Sequence, residues 1–291
     1  MNPRPMPKAE RAPGERRGRP PPDPFQSAAE AESHYLRMWR LRRMDGGELH
    51  ALLGGDPALA APWIESAARY GVVEAQVRLG QMRLDGIGVS RDEGASLKWF
   101  TRAAGKGSPE AMNMVGRCHE NGWGTPVDLM AAASWYRRSA TAGHDWGEYN
   151  YANMLFDGRG VERDQGQAVS WYRRASTRGH ARAMNLLARC YEEGWGVGRD
   201  ARQAHDWYRR SAEGGYFRAQ FNLGTILAGQ GRIEESLIWF DQACRAATPD
   251  SLNAMVAALL RQDNPKVAQF GRKIAMALRG GPEPGALETA T

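Results

Sequence analysis

The hexapeptide WYRRSA occupies residues 135–140, recurs as WYRRAS at 171–176 and returns unchanged at 207–212. The three tryptophans are therefore 36 residues apart. The same interval leads back to WFTRAA at 99–104 and to WIESAA at 63–68, whereas the next match, WFDQAC, follows after only 32 residues. Six copies at a nearly fixed period predict a repeat array, in which each unit packs mainly on its neighbours.

Four complete units align on these tryptophans, and each has the pattern of two helices joined by a loop. The first segment of a unit carries apolar residues at helical spacing around a small residue, and a glycine follows it, as at many helix C-termini. The small residues are Gly80, Gly116, Ala152 and Ala188, and the following glycines are Gly86, Gly122, Gly158 and Gly194. A second glycine lies two residues further on in every loop.

An aspartate precedes the second segment of every unit. The four residues are Asp92, Asp128, Asp164 and Asp200. An aspartate at this position is predicted to be an N-cap that accepts hydrogen bonds from the free amides of the helix. Gln167 and Gln203 follow two of them at the spacing of a capping box. Because the aspartates lie a full repeat apart, no shared metal or acid–base site is predicted.

The second segment carries the quoted motif on one helical face. Its tyrosines, Tyr136, Tyr172 and Tyr208, each lie between an alanine four residues earlier and a serine or alanine three residues later. This stripe predicts an aromatic wedge between helices, with small side chains that make room for it. The arginine pairs, such as Arg173 and Arg174, fall off the stripe and are predicted to be solvated on the outer edge.

The cysteine content and the missing secretory signal favour an intracellular repeat protein, and the basic charge belongs to the N-terminal tail. The net charge of +6 is concentrated at the N-terminus, since residues 1–43 hold 10 Lys/Arg against 5 Asp/Glu. No apolar run is long enough to span a bilayer, and the N-terminus lacks the apolar stretch of a secretory signal. Cys118, Cys190 and Cys244 are few, odd in number and far apart, which favours buried structural thiols in a reducing cytoplasm.

The order of small residue, Leu-Gly-like pair, G-x-G-V loop, Asp, Ala, Trp-Tyr and closing Gly resembles the Sel-one-like repeat, a relative of the tetratricopeptide repeat. The resemblance is close over residues 74–216. It implies an all-α fold, a right-handed α/α superhelical solenoid of antiparallel helix pairs, and a role as adaptor or scaffold. Many members are exported, so the missing signal is a departure that favours the cytoplasm.

The alignment divides the chain into six parts. They are a disordered Pro/Arg-rich tail (1–27), N-terminal helices with a degenerate leading repeat (28–72), four Sel-one-like repeats (73–216), a shortened tetratricopeptide-like repeat (217–248), C-terminal capping helices (249–279) and a disordered tail (280–291). A helix is predicted to begin near Ser27, where a capping-type serine precedes an amphipathic segment.

The sequence contains no recognisable catalytic motif, so an enzyme is not predicted. The sequence lacks a nucleophile elbow, a zinc-protease motif, a Cys-x-x-Cys pair and a phosphate-binding loop. No cofactor and no metal site are predicted. His144 and His180 occupy equivalent positions about 10 Å or more apart, too far to share a metal ion, and are interpreted as solvated or capping residues. The loop residues Trp123 and Trp195 are predicted to pack on their helix pair rather than to form an exposed recognition surface.

Two functions remain. The first is a non-catalytic adaptor that binds a protein or extended peptide in the concave groove of the solenoid. In tetratricopeptide-like arrays the first helices line this groove, which points to Asn113/Arg117, Tyr149/Asn153 and Asn185/Arg189, each pair on one helix face. Asparagine suits a peptide backbone, arginine a carboxylate and tyrosine an apolar group. The groove prediction competes with the simpler reading that these are solvated polar residues.

The alternative function is binding of nucleic acid or another acidic surface by the basic N-terminal tail and the outer arginine pairs. Residues 44–291 are nearly neutral, with 29 Lys/Arg against 28 Asp/Glu. Phosphate binding needs a clear basic surplus, so nucleic acid is the less favoured partner.

Overall fold

The computed structural model describes residues 28–278, and every regular element in this range is an α-helix. The two predicted disordered tails, 1–27 and 280–291, lie outside the described residues. The helices are α1 (Ala28–Leu41), α2 (Gly46–Gly54), α3 (Pro57–Arg69), α4 (Val73–Asp85), α5 (Glu93–Gly105), α6 (Pro109–Asn121), α7 (Leu129–Thr141), α8 (Asp145–Asp157), α9 (Gln165–Thr177), α10 (Ala181–Glu193), α11 (Ala201–Glu213), α12 (Phe217–Gly229), α13 (Ile233–Ala246), α14 (Pro249–Leu260) and α15 (Pro265–Leu278). Helix α1 begins one residue after the predicted capping serine.

The helices stack in chain order as pairs. From α4 to α13, the first and second helix of each unit pack on each other, and the second helix packs on the first helix of the next unit. At the N-terminal end α1 and α2 pack on α3, and at the C-terminal end α15 packs on α14 and α13. The predicted all-α solenoid of antiparallel helix pairs is confirmed.

An aromatic ring from each second helix fills the centre of its unit, as the tyrosine stripe predicts. The rings of Phe100, Tyr136, Tyr172, Tyr208 and Phe240 are at most 2% exposed. In three units the ring lies directly against a glycine of the first helix, Gly80, Gly116 or Gly224. A Cβ atom added at Gly116 would lie 2.7 Å from the ring of Tyr136, so the glycine lets the two helices approach.

The predicted N-caps are confirmed, but the capping boxes are not. Each of the four aspartates accepts from the backbone amide three residues later, for example Asp164 from Gln167 at 2.8 Å. In a capping box Gln167 would reach back to the amide of Asp164, but that amide already donates to the Leu155 carbonyl at 2.9 Å. The Gln167 side chain bonds to the Asp164 carboxylate instead.

The second glycine of each loop has a role other than ending a helix. Gly124 has a φ of +70°, and a Cβ atom there would lie 2.3 Å from the Glu93 carbonyl oxygen at the start of α5. The equivalent Gly88, Gly160 and Gly196 meet the backbone of the preceding unit in the same way. These glycines therefore let each loop lie directly on the unit before it.

Both arginines of each pair are exposed, as predicted, and the second one also packs on the tryptophan three residues earlier. The guanidinium of Arg174 lies over the ring of Trp171, 4.3 Å from its centroid, because a spacing of three residues places them on one helix face. Three other second helices have the same pair: Arg102 on Trp99, Arg138 on Trp135 and Arg210 on Trp207. The first arginine, Arg173, is exposed and donates to the Tyr191 hydroxyl at 3.0 Å.

Candidate functional site

We call the exposed side of the first helices, α4, α6, α8, α10 and α12, the first-helix face. Its composition alternates from unit to unit. Asn113, Arg117 and Glu120 of α6 recur as Asn185, Arg189 and Glu192 of α10, 72 residues later. Helix α8 between them has Tyr149, Asn153 and Phe156 at the same positions.

The two predicted site asparagines at the equivalent positions of α6 and α10 are buried and joined to the next first helix. Asn113 and Asn185 are each 5% exposed. The side-chain amide of Asn150 donates to the Oδ1 of Asn113 at 2.9 Å, and that of Asn222 donates to the Oδ1 of Asn185 at 3.1 Å. Each oxygen uses one of its two lone pairs within the protein, which leaves the second lone pair and the side-chain amide hydrogens for a ligand.

The predicted site arginines lie against the loop tryptophans. The guanidinium of Arg117 is 5.1 Å from the ring centroid of Trp123, and Arg189 has the same distance to Trp195. Both tryptophans are half-buried and contact the core, as the sequence predicted. Arg189 is exposed, whereas Arg117 is half-buried.

The last two predicted residues are on α8. Tyr149 is half-buried between the stacked ring of His180, at 4.8 Å, and the edge of Trp146, at 5.9 Å. Asn153 accepts a hydrogen bond from the hydroxyl of the buried Tyr172 at 2.7 Å. Tyr149 thus presents part of an aromatic cluster at the surface, and Asn153 holds the central ring of its unit.

An open pocket of about 360 Å³ lies on the first-helix face, over α6, α8 and the start of α10. Three predicted residues, Asn113, Arg117 and Tyr149, line it, and the other three do not. The further lining residues are Glu110, Met114, Glu120, Tyr136, His144, Trp146, Asn150 and Arg182. A second pocket of about 300 Å³ is lined by Glu192, Tyr208, Phe221 and Asn222, which occupy the positions of Glu120, Tyr136, Tyr149 and Asn150 one double repeat later.

Sequence reasoning missed the residues that border the first pocket, Glu110, Trp146 and Arg182. They occupy the second position of successive first helices, a column that continues to Glu74 on one side and Arg218 on the other. All five side chains are exposed. Along this column of the alignment the side chains change from acidic to aromatic to basic, a change that the asparagine column does not show.

The charges in the pocket differ in how they are held. Glu120 accepts from the Tyr136 hydroxyl at 2.6 Å and pairs with Arg159 at 2.8 Å. Burial, and next the hydrogen bond to Glu120, raise the pKa of Tyr136, which therefore stays a donor. Arg182 lies over Trp146 at 5.3 Å. Within residues 28–278 neither Glu110 nor Arg182 takes part in an ion pair, so both charges face solvent uncompensated.

The histidines that precede α8 and α10 are N-caps. The Nδ1 of His144 accepts from the Gly147 amide at 3.2 Å, and that of His180 accepts from the Ala183 amide at 3.1 Å. Burial is the main cause that lowers the pKa of each imidazole, which keeps the accepting nitrogen free of a proton. The sequence allowed capping or solvation, and His180, 6% exposed, is a buried cap.

The described residues include neither an activated cysteine nor a cluster of metal-ligating side chains. Burial raises the pKa of the Cys118, Cys190 and Cys244 thiols to about 11, so they are protonated at neutral pH and are poor nucleophiles. Across residues 28–278 no three His, Cys, Asp or Glu side chains are grouped closely enough to hold a metal ion. The first-helix face offers aromatic surface, hydrogen-bonding groups and charges of both signs, which suit binding.

The Sel1 repeat matches five consecutive segments that together make up more than half of the chain: residues 73–108, 109–144, 147–180, 181–216 and 217–247. The chain belongs to the Sel1 repeat family. The fifth segment is the shortened unit, whose sequence had suggested a tetratricopeptide-like repeat. Sel1 repeat proteins are generally scaffolds for protein interactions.

Two solved structures share this Sel1 repeat fold. The Sel1 repeat protein of Oxalobacter formigenes is 25% identical, with a TM-score of 0.68, and the match covers 79% of this chain and 97% of that one. The protective antigen c5321 of uropathogenic Escherichia coli is 27% identical, with a TM-score of 0.64, over 86% of this chain and 57% of that one. This chain spans little more than half of the length of the Escherichia coli protein. No curated protein shows a significant match to the sequence.

Proposed function

We propose that the chain is a non-catalytic adaptor that binds an extended peptide segment of a protein partner along the first-helix face, the concave side of the solenoid. The observation that carries the proposal is the open pocket over α6, α8 and α10 and its counterpart one double repeat later. Two pockets on one face that share four equivalent lining positions suit an elongated ligand. Units about 10 Å apart place the pockets about 20 Å from each other, a distance that about six extended residues span.

The pocket supplies the groups that hold a peptide. Trp146 and Tyr149 offer flat apolar walls, and the His180 ring packed against both keeps them in place. Glu110 and Arg182 lie on either side of Trp146 along the column of second positions, and both are free of ion pairs within the described range. A peptide that carries a basic and an acidic side chain on either side of an apolar one fits this order.

The residues predicted from the sequence keep a place in the proposal. Asn113, Arg117 and Tyr149 line the pocket and are its floor and walls. Asn153, Asn185 and Arg189 continue the same helix faces toward the second pocket. The proposed partner is a protein or peptide, and the proposed location is the cytoplasm. The three unpaired thiols agree with such a compartment.

Nucleic acid fits this face poorly. The pocket contains Arg117 and Arg182, but also Glu110 and Glu120, so its formal charges balance. A polyphosphate chain would have to approach both carboxylates, which costs the electrostatic energy that drives such binding.

The experiment selects binders from a phage-displayed library of random peptides on the full-length chain. Peptides that bind are then measured against a double variant of the pocket, Trp146→Ala with Arg182→Ala. Substitution of Asn113 is a poorer test, because its buried bond to Asn150 makes a loss of stability inseparable from a loss of binding. Both chosen side chains are exposed, so we expect the melting temperature of the variant to change little.

The matched control is Met130→Ala with Arg137→Ala, which removes an exposed apolar and an exposed basic side chain from a second helix, α7. We expect the pocket variant to weaken binding at least about tenfold, because an aromatic and an arginine are typical anchors of an interface. The control should bind like the parent. Equal loss in both variants, or no loss in either, would place the binding surface elsewhere and reject the proposal.

A further inference from the structure

Helix α1 has two faces with apolar residues, and only the inner one packs on the array. The inner face consists of His34, Met38 and Leu41 and lies toward α3. His34 is 5% exposed and its Nδ1 lies 2.6 Å from the Ser66 hydroxyl. Met38 and Leu41 line an apolar cavity together with side chains of α3 and α4. This face anchors α1 at the N-terminal end of the solenoid.

The outer face of α1 consists of Tyr35, Leu36 and Trp39. Their exposed fractions are 58%, 57% and 49%. At about 100° per residue, the three side chains lie within an arc of roughly 100°, on the opposite side of the helix from the inner face. Three large apolar side chains on one exposed arc are more than the scattered apolar residues of an ordinary surface.

Arginines border this outer face. Arg40 and Arg42 are exposed on the two sides of the arc, where Arg40 also lies over the Trp63 ring of α3, 5.9 Å from its centroid, and Arg42 also lines the apolar cavity. Arg43 lies within the arc, and its guanidinium is 3.7 Å from the ring centroid of Trp39. Residues 33–44 hold four arginines and no acidic residue, whereas Glu30 and Glu32 precede this stretch and Asp45 follows it. The surface therefore combines an apolar stripe with positive charge on both flanks.

We propose that the outer face of α1 binds an anionic lipid membrane surface. In this arrangement Leu36 and the rings of Tyr35 and Trp39 enter the boundary between headgroups and acyl chains, while the arginines contact lipid phosphates. Tyrosine and tryptophan suit that boundary because they join an apolar ring to a polar group. Within residues 28–278 no helix has the length and apolarity needed to cross a bilayer, so the contact is with the surface.

The chemistry of this face favours a lipid surface over a nucleic acid. Helix α1 is the first described helix and packs on α3, so its outer face lies at the end of the described array. A nucleic acid would pair with the arginines but would leave Leu36 in water. Binding at this face is independent of the peptide pocket on α6 and α8.

The test is flotation of the full-length chain with vesicles of phosphatidylcholine, alone or mixed with an equal amount of phosphatidylglycerol, at physiological ionic strength. We expect the chain to float with the mixed vesicles and to remain behind with pure phosphatidylcholine. Leu36→Ser with Trp39→Ser should reduce binding to the mixed vesicles at least about tenfold, because each buried apolar side chain contributes to partitioning. Arg40→Gln with Arg42→Gln should also reduce it and should weaken its dependence on phosphatidylglycerol.

The matched control is Leu59→Ser with Met130→Ser, two side chains that are 68% and 75% exposed on other helices. It should float like the parent, and all three double variants should melt like the parent, since the substituted side chains are exposed. Equal flotation of the Leu36/Trp39 variant and the control overturns the proposal. Binding of duplex DNA also overturns it if the arginine variant loses this binding and the Leu36/Trp39 variant keeps it. The same holds if the parent forms a dimer that the Leu36/Trp39 variant abolishes and the parent does not bind vesicles.

Discussion

Asn150 donates its side-chain amide to the Oδ1 of Asn113 at 2.9 Å and thereby joins α8 to α6. The bond recurs between Asn222 and Asn185 at 3.1 Å, 72 residues later. Donor and acceptor occupy adjacent positions of the repeat alignment. The bond therefore forms only where a unit with asparagine at the donor position follows a unit with asparagine at the acceptor position. The structural period of the first-helix face is therefore the double repeat.

Asn150→Ala should destabilise the protein by about 1–3 kcal/mol, because it leaves the buried oxygen of Asn113 without a donor. Chemical denaturation monitored by circular dichroism measures the change. The control is Asn253→Ala on α14, an exposed position at which we expect a change within about 0.5 kcal/mol. Equal changes at the two positions would mean that the bond between the helices does not contribute.

Gly124→Ala should destabilise the protein more than Gly179→Ala does. Both glycines have positive φ angles, +70° and +92°, so each alanine bears a backbone cost of about 1–2 kcal/mol. At Gly124 the added Cβ also meets the Glu93 carbonyl at 2.3 Å, whereas at Gly179 there is open space. The clash should add about 1–3 kcal/mol, as overpacking does. Similar losses for the two alanines would show that the loop does not rest on the preceding unit.

The sequence predicted most of the fold because its signals are local and repeated. Aspartate caps, loop glycines and the small–aromatic stripe depend on contacts within one unit, and the repeat shows each of them several times. The capping boxes were predicted wrongly, and the role of the second glycine was missed. Both depend on where an amide or a carbonyl of another segment lies. The amide of Asp164 donates to the Leu155 carbonyl, and Gly124 packs against the backbone of the preceding unit.

The candidate site was only half predictable for a related reason. The alignment identified the first helices and the polar columns, but it could not show that the Asn113 oxygen is used by Asn150. Nor did it direct attention to Trp146 and Arg182, since residues that differ from unit to unit look like noise in a repeat. In a solenoid the repeated positions build the scaffold, and the positions that vary distinguish one part of its surface from another.

Arg174→Ala should destabilise the protein by about 1–3 kcal/mol, while Arg173→Ala, one residue earlier, should stay within about 0.5 kcal/mol. Arg174 lies over Trp171, and its Nε is 3.1 Å from a carboxylate oxygen of Glu148, a side chain with no exposed surface. Arg178 also contacts that carboxylate and holds it in part when Arg174 is removed. Thermal melting of the two single variants measures the difference, and equal shifts would contradict these roles.

Mild acid should destabilise the protein through the two histidine caps. Burial lowers the folded-state pKa of His144 and His180 below the ordinary value of 6.5. The unfolded chain therefore binds more protons between the folded and unfolded pKa values, and stability must decrease as the pH falls through this window. From about one pH unit above 6.5 both imidazoles are neutral in either state and their contribution is complete.

A double variant, His144→Ser with His180→Ser, isolates this effect. Serine can cap a helix, as Ser108 does at the equivalent start of α6, where it accepts from the Ala111 amide. Serine does not titrate, so we expect the melting temperature of the variant to fall less than that of the parent between about pH 7.5 and pH 5.5. Carboxylates common to both proteins cancel in the difference. A parallel decrease would show that protonation of these caps does not limit stability, and a steeper decrease in the variant would contradict the sign of the shift.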